Sequence, residues 1–393
     1  MFTPPNNPAR ARIARALFHN AVRTLPVRVV FPGGRRMGAG GPDSPIMRVH
    51  RPTSFFHRLG VDAKIGFGEA YMVGDWTSTA LVELLTEFSA RMSTLIPPRL
   101  QAFRRWVDRR QPSTEENTVS GARENIHRHY DLSNELFATF LDETMTYSSA
   151  LFEPGTTDLH TGQLRKIDGV LDYARVDAES HVLEIGTGWG ALAIRAAQRG
   201  ARVTSLTISA EQKTLAEKRI AEAGLSDRVQ VLLRDYREAQ GTYDAVVSVE
   251  MIEAVGERYW PTYFGTVDRL LKPGGRFGLQ AITMPHDRML ATRDSYTWIH
   301  KYVFPGGIIP SVETIERNLA EHTSMRVRTF RDFGLDYAET LKQWRVRFLD
   351  HWQDVSALGF DETFRRMWEF YLGYCEAGFR SGYIDVRQFS IGN

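Results

Sequence analysis

The residues with the most chemistry to offer fall in one short run, VLEIGTGWG, from Val182 to Gly190. Gly186, Gly188 and Gly190 keep Cβ out of a tight turn, so a nucleotide-like ligand can lie against bare backbone there. Glu184, two residues before the first glycine, places an acceptor where it can meet the amino or ribose groups of a cationic ligand. The spacing is tighter than the dinucleotide pattern GxGxxG, and no Gly-Lys-Ser/Thr follows to hold a phosphate. That argues against NAD and ATP. A glycine turn of some other α/β fold is the alternative that the motif alone leaves open.

The elements that must position this turn alternate along the chain. Val182 to Ile185 is apolar enough for a central parallel strand, and Ala191 to Arg199 follows with strong helix formers. RVTSLTIS, VQVLLRDY, YDAVVSVEMIEAV and KPGGRFGLQAITM supply four more strands, with a helix after the first closed by Gly224. This alternation predicts an α/β, Rossmann-like, doubly wound sheet whose ligands sit beyond the carboxyl ends of the strands. Those ends are Glu184 to Gly190, Thr207 to Gln212, Asp235 and Tyr236, Glu250 to Glu253, and Gln280 to Thr283. They should line one site.

In front of the sheet the pattern changes. Residues 8 to 22 predict an amphipathic helix with Ile13, Ala16, Leu17 and Val22 near one side, and VRVVF and IMRVH read as short strands around a glycine-rich turn. Residues 1–110 are therefore expected to form a small N-terminal α+β domain, 111–122 a polar linker, and 123–393 the main domain. Net charge is only +2, yet no acidic residue precedes Asp43, while Arg10, Arg12, Arg15, Arg23, Arg28, Arg35 and Arg36 are present. Arg104, Arg105, Arg109 and Arg110 surround Trp106 in a second basic cluster. Basic residues beside apolar helix faces suit an anionic membrane surface; a solvated face or a nucleic-acid patch is the alternative that charge alone leaves open, although no nucleic-acid partner is expected. The single cysteine, Cys375, leaves no internal disulfide and no cysteine-based metal cluster, and no metal site is expected. No run approaches the about 20 apolar residues that cross a bilayer, and the beginning lacks a secretory signal. The expected place is the cytoplasm, peripheral at the inner face of the membrane.

Taken together, HYDLSNELF, MTYSSALF, QLRKID, VLEIGTGWG, LTISAEQ, VSVEMIEAVG, KYVFPGGIIPS, FGLDYAETL and EAGFRSGYIDVRQ, in this order, resemble the cyclopropane-fatty-acyl-phospholipid synthase family. These are class I, S-adenosylmethionine-dependent lipid methyltransferases. The resemblance covers roughly residues 123 to 391, and IGFGEAYMVGDW resembles the longer members that carry an N-terminal domain. It implies cofactor contacts from Tyr130, Tyr147, Ser148, Gly186, Gly188, Thr207, Ile208, Gln212 and Asp235, and the strand-end residues Glu184 and Tyr236 join them as candidates. It implies a reaction in which a cis alkene of a phospholipid acyl chain takes the cofactor's methyl group and the resulting carbocation loses a proton. The product is a cyclopropane or a methylene branch according to which proton is lost. In the family a bicarbonate ion is thought to accept it, and the matching holders here are Ser149, Glu253, Gln280, Ile282 and Tyr337.

Two of those side chains depart from the family pattern, since Ser149 replaces a cysteine and Gln280 a histidine. Both can still hydrogen-bond an anion, but neither titrates near neutrality as histidine does. Either bicarbonate remains, or Glu253 accepts the proton itself; a helix N-terminal carboxylate is the structural alternative for Glu253. The QAITMPHDRMLATR segment resembles actinobacterial members that make 10-methylene intermediates, whose saturation would need a separate reductase. Phe304, Trp344, Phe348, Trp368, Tyr371 and Phe379 are candidate walls for the acyl chain. A homo-oligomer is expected. The competing readings are a methyltransferase for a small phenol or amine, and a non-catalytic lipid- or cofactor-binding protein.

Overall fold

The computed structural model describes residues 6–91, Thr118 and residues 133–393. The expected linker apart from Thr118, the basic cluster around Trp106 and the HYD segment with Tyr130 lie outside these residues. The chain divides into two compact units. Residues 294–305 and 344–383 group with residues 1–111, while 112–293, 306–343 and 384–393 form the other unit.

The first unit begins with α1 (Pro8–Val22), capped by Asn7, whose side chain accepts from the Arg10 N–H. Four short strands follow, β1 (Arg28–Val30), β2 (Arg36–Met37), β3 (Ile46–Val49) and β4 (Trp76–Thr77), in the order β2-β1-β3-β4. β1 and β3 run parallel, and the other two pairs are antiparallel. The face of α1 that is buried carries Ala11, Ala14, Phe18 and Val22. The expected grouping of Val22 with Ile13, Ala16 and Leu17 is corrected by this, because Phe18 seats against Phe55 and Phe56 and turns Ile13 and Leu17 outward. IGFGEAYM, read only as a motif in the sequence, lies in the helix Ala63–Met72, started by the Asp62 carboxylate accepting from the Lys64 and Ile65 N–H groups. Its glycines have a packing reason: a Cβ on Gly68 would stand 2.5 Å from the Trp298 ring. Trp344, Phe348, Trp368, Tyr371 and Phe379 are core residues of this unit, and Phe304 packs its partly exposed ring on Tyr371.

The second unit holds the expected parallel sheet, built from β5 (His181–Ile185), β6 (Arg202–Thr207), β7 (Val229–Leu233), β8 (Tyr243–Val249) and β9 (Leu271–Thr283). Two strands missed in the sequence, β10 (Arg326–Asp332) and β11 (Asp385–Gly392), add antiparallel neighbours and give the order β10-β11-β9-β8-β5-β6-β7. β5 shows why the sheet is buried on both sides. Val182 joins Ile167, Val170, Leu192 and Ile220 on one face, while Leu183 and Ile185 join Phe264, Val267, Phe277 and Leu319 on the other. β10 reads RVRTFRD because it is an edge, where charged side chains can face water.

Candidate active site

The glycine turn is the first wall. Gly186, Gly188 and Gly190 all take positive φ, at 101°, 51° and 90°, which side-chain-bearing residues rarely adopt. A Cβ on Gly188 would meet nothing within 4 Å, and one on Gly186 would meet only Met251 at 3.7 Å, so open space lies over the turn. The Trp189 indole N–H donates to Asn134 Oδ1 at 2.8 Å, and its ring packs on Phe137, which also touches Tyr147. Arg219 donates to the carbonyls of Trp189 and Thr144 at 2.8 and 2.9 Å, tying the turn to the stretch that leads into Thr146 and Tyr147.

The strand ends expected beside the turn are present. Glu184 is buried, accepts from the Ser205 hydroxyl, and is pushed up to about 8 by burial. Thr207 donates to Gln212 Oε1 at 2.9 Å, and Ile208 follows it, partly buried. Asp235 is buried but already held by Nε and Nη2 of the Arg237 guanidinium, at 2.8 and 2.7 Å, with Tyr236 beneath that cation. The bare turn, the partly buried aromatic Tyr147 and the buried acceptors on Glu184, Gln212 and Asp235 fit a nucleoside cofactor bearing a cation.

The second wall forms where β8 and β9 end. Glu250 directly follows β8 with φ 49°, a left-handed conformation that turns its carboxylate inward. Its Oε1 accepts from the Ser149 N–H at 3.0 Å and from Gln280 Nε2 at 2.8 Å. Its Oε2 accepts from the Tyr337 hydroxyl at 2.6 Å. Three of the five groups expected to hold a free anion thus hold this carboxylate. The remaining two, Glu253 and Ile282, hold each other, with the Ile282 N–H donating to Glu253 Oε1 at 2.5 Å. The Ser149 hydroxyl does not face the site, since it donates to the Ala150 carbonyl, and only its backbone N–H contributes. The donors present do not fit a bicarbonate ion as well, because each is already taken by a carboxylate of the chain.

The electrostatics of this wall are set by burial. Glu253 is pushed up to about 8, by loss of water first and the nearby Glu250 second, and its Oε2 is buried without a hydrogen-bond partner. Glu250 is raised by burial too, but Tyr337, Lys166, Ser149 and Gln280 all pull it down. Lys166 sits fully buried in the helix Leu159–Tyr173, donates to the Ser148 hydroxyl at 2.6 Å, and is lowered to about 8 by burial against the opposing fields of Glu250, Asp142 and Glu184. Gln163, one turn earlier, donates to the Ser148 carbonyl at 2.8 Å. Gln388 on β11 closes the frame by donating to both the Lys166 carbonyl and Gln280 Oε1, which fixes the orientation of the Gln280 amide.

Glu250, Lys166, Gln388 and Arg219 were not picked out as site residues by sequence reasoning. Glu250 carried one signal, its place at a strand end, but nothing in a sequence reveals a positive φ on glutamate. Lys166 lies in QLRKID, where it reads as a surface lysine of an amphipathic helix. Gln388 lies on a strand that was itself not foreseen. No group of side chains able to hold a metal ion occurs among the described residues.

Comparison with known proteins agrees with this geometry. Residues 118–389 match the family described as mycolic acid cyclopropane synthetase. The tuberculostearic acid methyltransferase UfaA1 of Mycobacterium tuberculosis is 50% identical over 390 residues, 98% of this chain and 91% of that protein. The cyclopropane-fatty-acyl-phospholipid synthase of Escherichia coli is 35% identical over 346 residues, covering 87% of this chain and 86% of its own. Among solved structures, mycolic acid cyclopropane synthase CmaA1 complexed with SAH and CTAB superposes with a TM-score of 0.64 at 29% identity, over 72% of this chain and 99% of that one. With its glycine turn, its β8 and β9 strand ends and matches of this extent, the chain belongs to the cyclopropane-fatty-acyl-phospholipid synthase family of S-adenosylmethionine-dependent lipid methyltransferases.

Proposed function

We propose that the protein methylates the cis double bond of an unsaturated phospholipid acyl chain and that Glu250, rather than a bound bicarbonate, takes the proton the methylated chain must lose. The observation that carries the second part is the convergence of the Ser149 N–H, the Gln280 amide and the Tyr337 hydroxyl on one internal carboxylate. S-adenosylmethionine, held at the glycine turn with Tyr147, Ser148, Glu184, Thr207, Ile208, Gln212, Asp235 and Tyr236 as its candidate contacts, supplies an electrophilic methyl group.

The chain's residues then do the following. Burial, the larger influence, raises Glu250 and makes it a stronger base than a solvated carboxylate, while the three donors and the nearby Lys166 favour its anionic form. Glu253, at about 8, is largely protonated at neutral pH. It therefore adds no second negative charge beside Glu250. An alkene that has gained a methyl group carries a cation on the adjacent carbon, and that cation must be kept from water until a C–H bond gives up its electron pair. If the pair closes a ring from the added methyl, the product is a cyclopropane. If a hydride first shifts to the cationic carbon and the added methyl then loses its proton, the product is a methylene branch. In both cases Glu250 gains one proton and passes it to solvent before the next turnover.

We assign the methylene product, because this chain shares 50% identity with a relative named as a tuberculostearic acid methyltransferase. A separate reductase would saturate that product. The substrate is a lipid of the bilayer, and drawing about 8 methylenes into water would cost about 6 kcal/mol without an apolar path. The test is to incubate the protein with S-adenosylmethionine and dispersed oleoyl-phospholipid and examine the released fatty acids by mass spectrometry and proton NMR. A gain of one CH₂ with vinylidene protons is expected; upfield ring protons would make it a cyclopropane synthase. No gain despite bound cofactor would refute the alkene reading.

A further inference from the structure

We infer that the outward face of α1 docks the protein on an anionic lipid surface. The inference rests on the phospholipid reading above and names the surface through which the protein would reach its substrate's bilayer. α1 has two apolar sides, and only one of them is spent on the core. Ala11, Ala14, Phe18 and Val22 are buried, with the Phe18 ring 5.2 Å from Phe55 and 5.8 Å from Phe56. Ile13 and Leu17, one turn apart, are 62% and 46% exposed. At 3.6 residues per turn, Ala9 and Ala16 fall beside them, Arg12 and Arg23 border the strip on one side and Arg10 on the other. All of these are exposed.

The composition of this face selects its occupant. A face built only for water would carry charges of both signs and would not spend two large aliphatic side chains. No Asp or Glu precedes Asp43, so the arginines of α1 have no acidic partner within the helix. Aliphatic side chains between arginines match the boundary of an anionic bilayer, where the apolar groups enter the acyl region and the guanidinium groups reach back to phosphates. Arg15 is not part of this strip, since its guanidinium lies 4.9 Å from the Phe56 ring centre. The helix is also preformed, by the Asn7 cap, by Pro8 in its first turn and by the Phe18 anchor, so docking does not have to order it.

The experiment uses the full chain and flotation with phosphatidylcholine vesicles, with and without phosphatidylglycerol. Binding is expected only where phosphatidylglycerol is present, and it should weaken as salt rises. A triple variant, Arg10→Gln, Arg12→Gln and Arg23→Gln, should lose about 100-fold in partitioning, the equivalent of roughly 3 kcal/mol at about 1 kcal/mol per arginine. A double variant, Ile13→Ser and Leu17→Ser, should lose at least about tenfold while keeping its fold, because neither side chain is in the core. Both variants should turn over detergent-dispersed oleoyl-phospholipid at the wild-type rate. Flotation of either variant like the wild type overturns the inference, as does a change of the double variant's mass in sedimentation, which would make this face a contact between copies. If anionic vesicles bind through α1 but dispersed lipid is not methylated, the docking surface stands and the reaction assigned above falls.

Discussion

Replacing Glu250 with glutamine separates its role as a base from its role in the frame. The side chain keeps its size, and its amide can still satisfy all three neighbours. The amide oxygen can accept from the Ser149 N–H and Gln280 Nε2, and the new NH₂ can donate to the Tyr337 oxygen. Exchanging three charge-assisted hydrogen bonds for neutral ones costs about 1 kcal/mol each, and no longer having to bury a charge offsets much of it. Stability should therefore change by no more than about 2 kcal/mol. The rate should fall by about 10²–10⁴, which is roughly 3–5 kcal/mol of barrier, because a positioned base is worth that much. Single-turnover product formation measures the loss, and calorimetric binding of S-adenosylhomocysteine should be unchanged. Glu250→Gly goes further: it relieves the left-handed glutamate, worth about 1 kcal/mol, and frees the three donors to hold an anion from solution. Added bicarbonate should then restore activity to the glycine variant and leave the wild type unaffected. A glutamine variant within about threefold of wild type, or equal bicarbonate stimulation of both proteins, would refute the assignment.

Glu253 makes a prediction about stability and pH. Its folded pKa, at about 8, lies above its ordinary value, so its contribution is fully present below about 4.5 and is lost as pH rises through 8. Glu253→Gln should match the wild type in melting temperature at about pH 4 and exceed it by a margin that grows from pH 6 to pH 9. Lys166→Met removes the buried cation beside Glu250 and Glu184 and leaves the Ser148 hydroxyl without its donor; the acid limb of the kcat profile should move about one unit higher. A limb that stays put while activity drops would make Lys166 a packing residue only. Gly188→Val puts a branched side chain at φ 51° into the open space over the turn; it should lower the melting temperature through backbone strain and weaken S-adenosylhomocysteine binding at least about tenfold at a temperature where the variant is folded. Unchanged affinity in calorimetry would move the cofactor away from the turn.

Much of the cofactor half of this protein was legible in its sequence. Glycines at 186, 188 and 190 after an apolar run can form little else than a bare turn after a buried strand, and alternation of strand and helix dictates a parallel sheet with its ligands at the carboxyl ends. These are local consequences of missing Cβ atoms and of side-chain period, and they need no partner from elsewhere in the chain. The carboxylate frame at the ends of β8 and β9 depended on long-range register. Ser149, Glu250, Gln280 and Tyr337 were each visible, three of them as expected holders of an ion, but the convergence of those three on the Glu250 carboxylate depends on a positive φ at the end of β8. The same holds for Gln388, which reaches Gln280 only because β11 pairs antiparallel with β9 and sets the two glutamines opposite each other. On α1 the sequence determined an amphipathic helix but not which side was inward. Phe18, seated against Phe55 and Phe56, decided that, since a helix with two apolar sides is oriented by whichever finds the larger surface to bury.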